Sequence, residues 1–524
     1  MRDTKKTGFF KKEVKITMSG FFLAALIYLT LPVIIFFVGY LRPLWAVVFS
    51  GLTVFSVWWA WHDMAGRKPD KELSLNERVI TLNRSYFLFL IPFVLVILYL
   101  GGVGEFSWCL RDHRVRYAIL YDLVKYKWPV IYDFSTQQNP AVAEILGEGK
   151  VAFAYYFVFW MVPAVIGKIF GVLAARIVLL LWSAAGLSLV AIGAVFLYGK
   201  QSRFLFVALM LFAGFDVFPY YYRLYTGFNP GWEDWTLHFR LFGNFYQIMN
   251  VFNQCIPGWL ITVLLLLCVR SRFVGLLGSL MFCYSPWAAI GILPMCIVKL
   301  IETNRGSKAK EVLKNLFTAG NMIAPVVFFV CFASFYRANP NAAFEYGFIW
   351  KFYKSPLVMV AEYIAFVVFE FGIWALLVFK KHKKDWMFYC SIATMLIIPI
   401  YKMSGANDFL MRGSLAPHFV IALYASMFAS DGFNEMMEKE NRKIRPRLKV
   451  LSLLVAAYTS INLLIMTALL TTRTYAKLEP EEDVTTDIGS FGDVRNEDYL
   501  EMVRVQFYVY DYEDTLFFKY LAKK

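Results

Sequence analysis

Apolar runs of roughly 17 to 25 residues recur along this chain from near residue 20 to residue 470, each long enough to cross a hydrocarbon layer of about 30 Å as a helix. A chain that is 59% hydrophobic cannot hide that surface in a water-soluble core, so lipid must solvate it. No alternation over strands of about ten residues dominates, which argues against a barrel. The expected fold is all-α, a polytopic transmembrane helical bundle of about 13 segments. They lie near 20–40, 42–61, 85–103, 172–197, 203–219, 251–269, 273–284, 286–300, 316–336, 358–379, 386–401, 415–431 and 448–470.

The net charge of +15 would fit a nucleic-acid partner, but the basic residues cluster between spans, where a positive-inside reading places the cytoplasm. Lys5, Lys6, Lys11, Lys12 and Lys15 precede the first span, Lys380 to Lys384 surround His382, and Arg442 to Lys449 form another run. The charge is topological, and no nucleic-acid partner is expected. Keeping the turn Lys200 to Arg203 inside requires the apolar stretch 151–171 not to cross, so it is read as interfacial. For the same reason 273–300 is read as two short helices broken at Ser285 and Pro286. The N terminus is then cytoplasmic and the C terminus outside. Residues 1–470 form the membrane module, with a first outer loop at 104–171, and 471–524 an outer-face tail. The first apolar run continues into a second span and reads as an anchor, not a cleaved signal. Seven cysteines show neither a disulfide framework nor paired metal spacing.

The sizeable loops fall outside, at 104–171, 220–250, 337–357 and 402–414, and chemistry is expected there. In RDHRVRYAILYDLVKYKWPVIY, Val115, Ile119, Leu123 and Tyr126 recur at near-helical spacing and Pro129 ends the run, which predicts a helix on the membrane surface. Asp112 stands at its start, as an N-cap or as a general base toward a sugar hydroxyl, with His113 able to assist. The second loop combines Asp216, Glu233, Asp234, His238 and Arg240 with many aromatic rings, a mixture that suits sugars and equally an interfacial aromatic belt. Arg337, Lys351, Lys354, Lys402 and Arg412 break the charge rule; an anionic substrate would account for them, as would lipid headgroups. YKMSGANDFLMRGSLAPHF is the densest case, with Lys402, Asp408, Arg412 and His418. His113, His238 and His418 have no i, i+3 or i, i+4 spacing, so no metal and no other cofactor is implied. Glu362, Glu370 and Arg176 fall within spans, as bundle contacts or as part of an ion path.

The stretches RDHRVRYAILYDL, YYFVFWMVPAVIGKIFGVLAARIVLLLW, GFDVFP, NQCIPGW, SPWAAIGILP, GANDFLMR and FFKYLAK together resemble bacterial multipass proteins of GT-C glycosyltransferase architecture, over nearly the whole chain. The resemblance implies an acidic residue near interfacial helices of the first outer loop, matched by Asp112, and a sugar donor on a polyprenyl phosphate. It makes Arg412 the candidate for the lipid phosphate, with Asp408 orienting it. GWEDWTLHFRLFGNFYQ departs from the family pattern, so neither sugar nor acceptor is implied.

The expectation is therefore a glycosyltransferase using a lipid-phosphate-linked sugar to modify a cell-envelope glycan, lipid or protein at the bacterial inner membrane. Its partners are the bilayer, the donor and that acceptor. The competing expectation is a transporter or flippase of a lipid-linked glycan, which needs the same outer cations and buried carboxylates.

Overall fold

The structure is a computed structural model that describes residues 12–65, 78–135, 145, 147, 149–227, 231, 233–236, 238–339, 345–404, 407–438, 444–476, 489–494 and 500–524; the side chains of 111, 112, 114, 494, 500 and 501 lie outside that description. Lys5, Lys6, Lys11, Arg442, the acidic run 479–483 and the Asp112 side chain are thus outside the described residues.

The chain folds into a helical bundle. Among the described residues, seven helices are long and apolar enough to cross a membrane: Met18–Tyr40, Pro43–Ala65, Val172–Tyr198, Asn244–Leu267, Pro286–Thr303, Ala319–Tyr336 and Pro356–His382. The pair Ile444–Ala456 and Tyr458–Tyr475, bent by 49°, makes an eighth if taken as one span. Shorter apolar helices, among them Arg84–Leu100 and Trp386–Ile400, pack between them. Asn244–Leu267 is buried along nearly its whole length and forms the axis of the bundle.

Local chemistry sets the ends of these helices. Thr17 accepts from the Gly20 N–H and starts Met18–Tyr40. Ser285 accepts from the Ala288 N–H and Pro286 takes the first helical position, so the expected break falls between Val274–Tyr284 and Pro286–Thr303. In the stretch 151–171 only Met161–Phe170 is α-helical beyond one 3-10 turn, and ten residues reach about 15 Å, half a hydrocarbon layer. Gly171, at φ +88°, then turns the chain into Val172–Tyr198.

The expected span 203–219 is not one helix. Arg203–Met210 stops, 211–216 runs irregularly through the bundle, and Val217–Tyr225 follows. Neighbouring segments satisfy the freed backbone: Phe215 N–H donates to Phe369 O (2.7 Å), Asn244 N–H to Phe212 O (2.9 Å) and Trp374 Nε1 to Ala213 O (3.0 Å). Irregular backbone inside a bundle persists only where protein meets its polar groups this way.

Basic segments gather at one end. Asp431 accepts from Lys200 (3.2 Å), Lys381 (2.9 Å) and Tyr198 (2.8 Å), Glu435 holds Lys449, and Arg272 pairs with Asp63. At the opposite end the strands Ile131–Asp133, Lys150–Phe153 and Tyr508–Val509 form an antiparallel sheet, so residues near the C terminus pack on the first large loop. Arg42 donates to the carbonyls of Lys519 (2.6 Å) and Ala522 (3.1 Å), closing this layer over the turn between the first two helices.

Candidate functional site

The end away from the basic segments contains a cavity of about 240 Å³. Tyr155 and Tyr156, stacked at 3.8 Å, form one wall; Trp287, at the start of Pro286–Thr303, and Tyr336 form another. Its polar groups are Asn339, Ser404, Asp408, Arg412 and Gln506. The short helix Asp408–Gly413 places the charged pair. Asn407, in the left-handed region at φ +54°, accepts from Leu410 N–H through its side chain, and Ser404 accepts from Asp408 N–H (3.1 Å). One turn separates Asp408 from Arg412, and they pair at 3.1 Å. Gly291 permits the approach of this helix, because a Cβ there would lie 1.6 Å from Gly413 O.

Arg412 is half-buried, its guanidinium 5.9 Å from the Tyr156 ring centre. Burial alone would raise the Asp408 carboxyl; the Arg412 charge and the Ser404 hydroxyl outweigh it and hold the group below its ordinary value. Asp408 is thus a partner for Arg412 and a poor base. Arg240 forks onto Asp234 at 2.5 and 2.8 Å, and its charge also reaches Asp408. Lys402 is buried beside Phe352, 3.9 Å from Glu345, and burial lowers its pKa. His238 sits nearby against Tyr353, its carbonyl accepting from Asn407 Nδ2 (2.8 Å); burial and then the Lys402 charge lower its pKa. Lys351 and Lys354 are exposed and do not line the cavity.

The first-loop helix is Arg111–Lys125 with Leu110 at the cap position, so Asp112 is its second residue and not the N-cap. The helix does not lie open on a surface: Val115, Ile119 and Leu123 are buried, and so are Tyr117, Ala118 and Leu120 on its other sides. His113 is enclosed against Tyr117 and Phe252, and burial pushes it down to about 3, so it is a neutral packing residue and not a surface acid. Arg116, one turn after Asp112, is also buried, and its charge acts with that of Arg412 on Tyr155.

Asp216 and Glu233 occupy a different place. They sit with Glu370 inside the bundle, each at most 2% exposed. Trp235 Nε1 donates to both Asp216 (3.2 Å) and Glu370 (3.1 Å); Glu233 accepts from Gly243 N–H (2.6 Å) and Thr459 (3.3 Å). No cation pairs with the three among the described residues. They gather where the 203–219 segment breaks, where Pro356–His382 takes a π-helical turn at Val367–Gly372, and beside the bend at Ala457. Of the other charges expected within spans, Glu362 pairs with Arg223 and accepts from Tyr353 (2.6 Å), while Arg176 pairs with Glu105 (3.3 Å). His418 lies deeper, 3.1 Å from Gln247. The three expected histidines are thus dispersed, and no group of metal-binding side chains occurs among the described residues.

The structure therefore brings Asp234, Arg240, Asp408 and Arg412 together, with Lys402 and His238 behind them, and sets Asp216, Glu233 and His418 apart. Sequence reasoning missed Tyr155, Tyr156, Trp287, Gln506 and Arg116 as site residues; the paired tyrosines of AYYF, in a loop already expected to be outer, were the available signal. The chain matches no protein-family model, no curated protein and no solved structure.

Proposed function

We propose that this chain is a membrane glycosyltransferase that moves a sugar from a polyprenyl-phosphate-type carrier to a glycan, lipid or protein acceptor on the outer face of a bacterial inner membrane. In this reading the short and broken helices complete a GT-C-like bundle of about thirteen membrane segments. The carrying observation is the cavity at the end away from the basic segments, where Arg412, oriented by Asp408, stands among aromatic rings and neutral polar groups. Ring faces suit the C–H face of a sugar, and an arginine fork suits a phosphate.

In the transfer the acceptor hydroxyl oxygen attacks the anomeric carbon. The bond from that carbon to the carrier phosphate breaks, and the phosphate leaves with the electron pair, its charge met by Arg412. The hydroxyl proton goes to a carboxylate. Asp408 is occupied by Arg412, which leaves Asp112, one turn before Arg116, as the proposed base. The test is Asp112→Asn in detergent-purified protein: transfer of labelled sugar should fall roughly 10²- to 10⁴-fold with unchanged thermal stability. Near-normal transfer would remove Asp112 from the reaction.

The buried trio Asp216, Glu233 and Glu370 favours a second reading, a proton-coupled transporter or flippase of a lipid-linked glycan, since carboxylates at broken helices are a means of carrying protons. Under it, Glu370→Gln abolishes pH-gradient-driven movement of the lipid in proteoliposomes; under the transferase reading, sugar transfer survives Glu370→Gln.

A further inference from the structure

A second cavity, of about 680 Å³, opens at the basic end, between the last turns of Pro286–Thr303, the short helix Ala309–Leu316 and the start of Trp386–Ile397. The cavity of the proposed transfer reaction includes the first residues of the same Pro286–Thr303 helix, so the two sites stand about 25 Å apart. The gap is fixed by side-chain amides. Asn315 donates to Asn304 Oδ1 (2.9 Å), Asn304 to Ser271 (2.9 Å), and Asn321 to Asn315 O (3.0 Å), which together pin the short helix while Gly306, at φ +81°, makes the turn.

Ile297, Ile301, Val312 and Leu316 give the cavity an apolar wall. Ile290, Leu293, Ile297 and Ile301 are each about half exposed and continue that wall along one stripe of the helix, toward the part of the bundle that faces lipid. The rim is cationic. Arg305 lies 5.8 Å from the Trp386 ring centre, Lys384 is beside it, and neither makes an ion pair among the described residues. The one acid in the lining, Glu302, is held by Lys299 at 3.1 Å. Two cations with no ion pair among the described residues and an indole thus stand above an apolar channel, an arrangement that suits the level where a membrane surface changes from headgroup to acyl chain.

We propose that this groove binds a single anionic phospholipid. Its phosphate sits between Arg305 and Lys384, the glycerol region rests on Trp386, and one acyl chain runs along Ile301, Ile297 and Leu293. A free phosphate would use the rim and leave the apolar wall unfilled; a zwitterionic lipid would fill the wall and leave the rim cations in excess. The site is independent of the proposed transfer reaction.

The test uses full-length protein in nanodiscs of phosphatidylcholine with a minor fraction of brominated lipid, reading the emission lost from Trp386 as the difference between wild type and Trp386→Phe. Brominated phosphatidylglycerol should quench Trp386 more than brominated phosphatidylcholine at the same fraction. Each cation should account for roughly a fivefold preference. The variant Arg305→Gln with Lys384→Gln, two exposed positions, should lose the preference, and Arg305→Lys should keep most of it. Equal quenching by the two lipids, or an undiminished preference in the double variant, would overturn the proposal. Displacement of the excess quenching by inorganic phosphate would also overturn it, in favour of a small-anion site.

Discussion

Arg412 is the side chain on which two readings of one position diverge most. A residue that only balances headgroup charge can be exchanged for lysine without loss, whereas a guanidinium held by Asp408 at 3.1 Å presents a directed fork. Arg412→Ala should weaken binding of a polyprenyl-phosphate sugar by about 1.5–3 kcal/mol, roughly 10- to 150-fold, and Arg412→Lys should restore only part of it. Isothermal titration with the purified variants reads this directly, and wild-type affinity in both would make Arg412 a topological residue. At the same scale, the pairing of Asp408 with Arg412 came only through the resemblance of GANDFLMR, because 402–414 reads as a loop; the short helix Asp408–Gly413 is what makes the two i, i+4 neighbours that meet. Nothing local announces Gln506, and the tyrosine pair of AYYF announces no partner; Tyr155 and Gln506 reach the cavity from segments about 350 residues apart in the chain. His113 misled for the opposite reason: a polar residue in an outer loop reads as exposed, and only the packing of Phe252 and Tyr117 against it makes it interior.

Among the elements, the helix Asp408–Gly413 is positioned by a glycine. A methyl at Gly291 would collide with Gly413 O, so Gly291→Ala should push that helix outward, costing about 1–3 kcal/mol and distorting the cavity wall. Lower thermal stability together with weakened donor binding is the expected pair of results; unchanged stability would mean the two backbones are not in contact. The loop Ser490–Gly492 is fastened to Arg111–Lys125 through Asp122, which accepts from Ser490 (2.6 Å), Tyr132 (2.7 Å) and Phe491 N–H (2.9 Å). Burial raises Asp122 from 3.8 to about 6 and outweighs those three donors. The folded form therefore holds the proton more tightly than the unfolded chain. Stability from this group is complete below pH 3.8 and is lost as pH rises through about 6, a change of up to about 3 kcal/mol. Asp122→Asn, which stays neutral, should flatten the profile of thermal stability against pH; parallel profiles for the two proteins would refute the assignment. The break at Ser285 and Pro286 is legible in the sequence through the basic stretch 299–314, whose charge must stay on the inner side, and the Ser285 cap and Pro286 then realise it locally. The break at 211–216 is not legible, since FLFVALMLFAGF is apolar throughout and the competing hydrogen bonds come from Phe369 and Trp374, far along the chain.

For the molecule as a whole, the gathering of Lys200, Lys381 and Lys449 at one end and of the candidate cavity at the other makes a sidedness prediction. With Cys109 and Cys390 replaced, single cysteines at Lys351 and Lys354 should react with an impermeant reagent in intact cells, and cysteines at Lys200 and Lys310 only after permeabilisation. The reverse pattern would invert the bundle. The clasp between Arg42 and the carbonyls of Lys519 and Ala522 joins residues separated by 477 and 480 positions. A growing chain therefore inserts its first hairpin long before the segment that seals it has been translated. Gln506, which completes the cavity wall, arrives equally late. A nascent chain stopped before residue 500 has its first hairpin and its charged end, but its cavity lacks Gln506 and its first large loop lacks the strand Tyr508–Val509, so the chain spends most of its synthesis without a finished site.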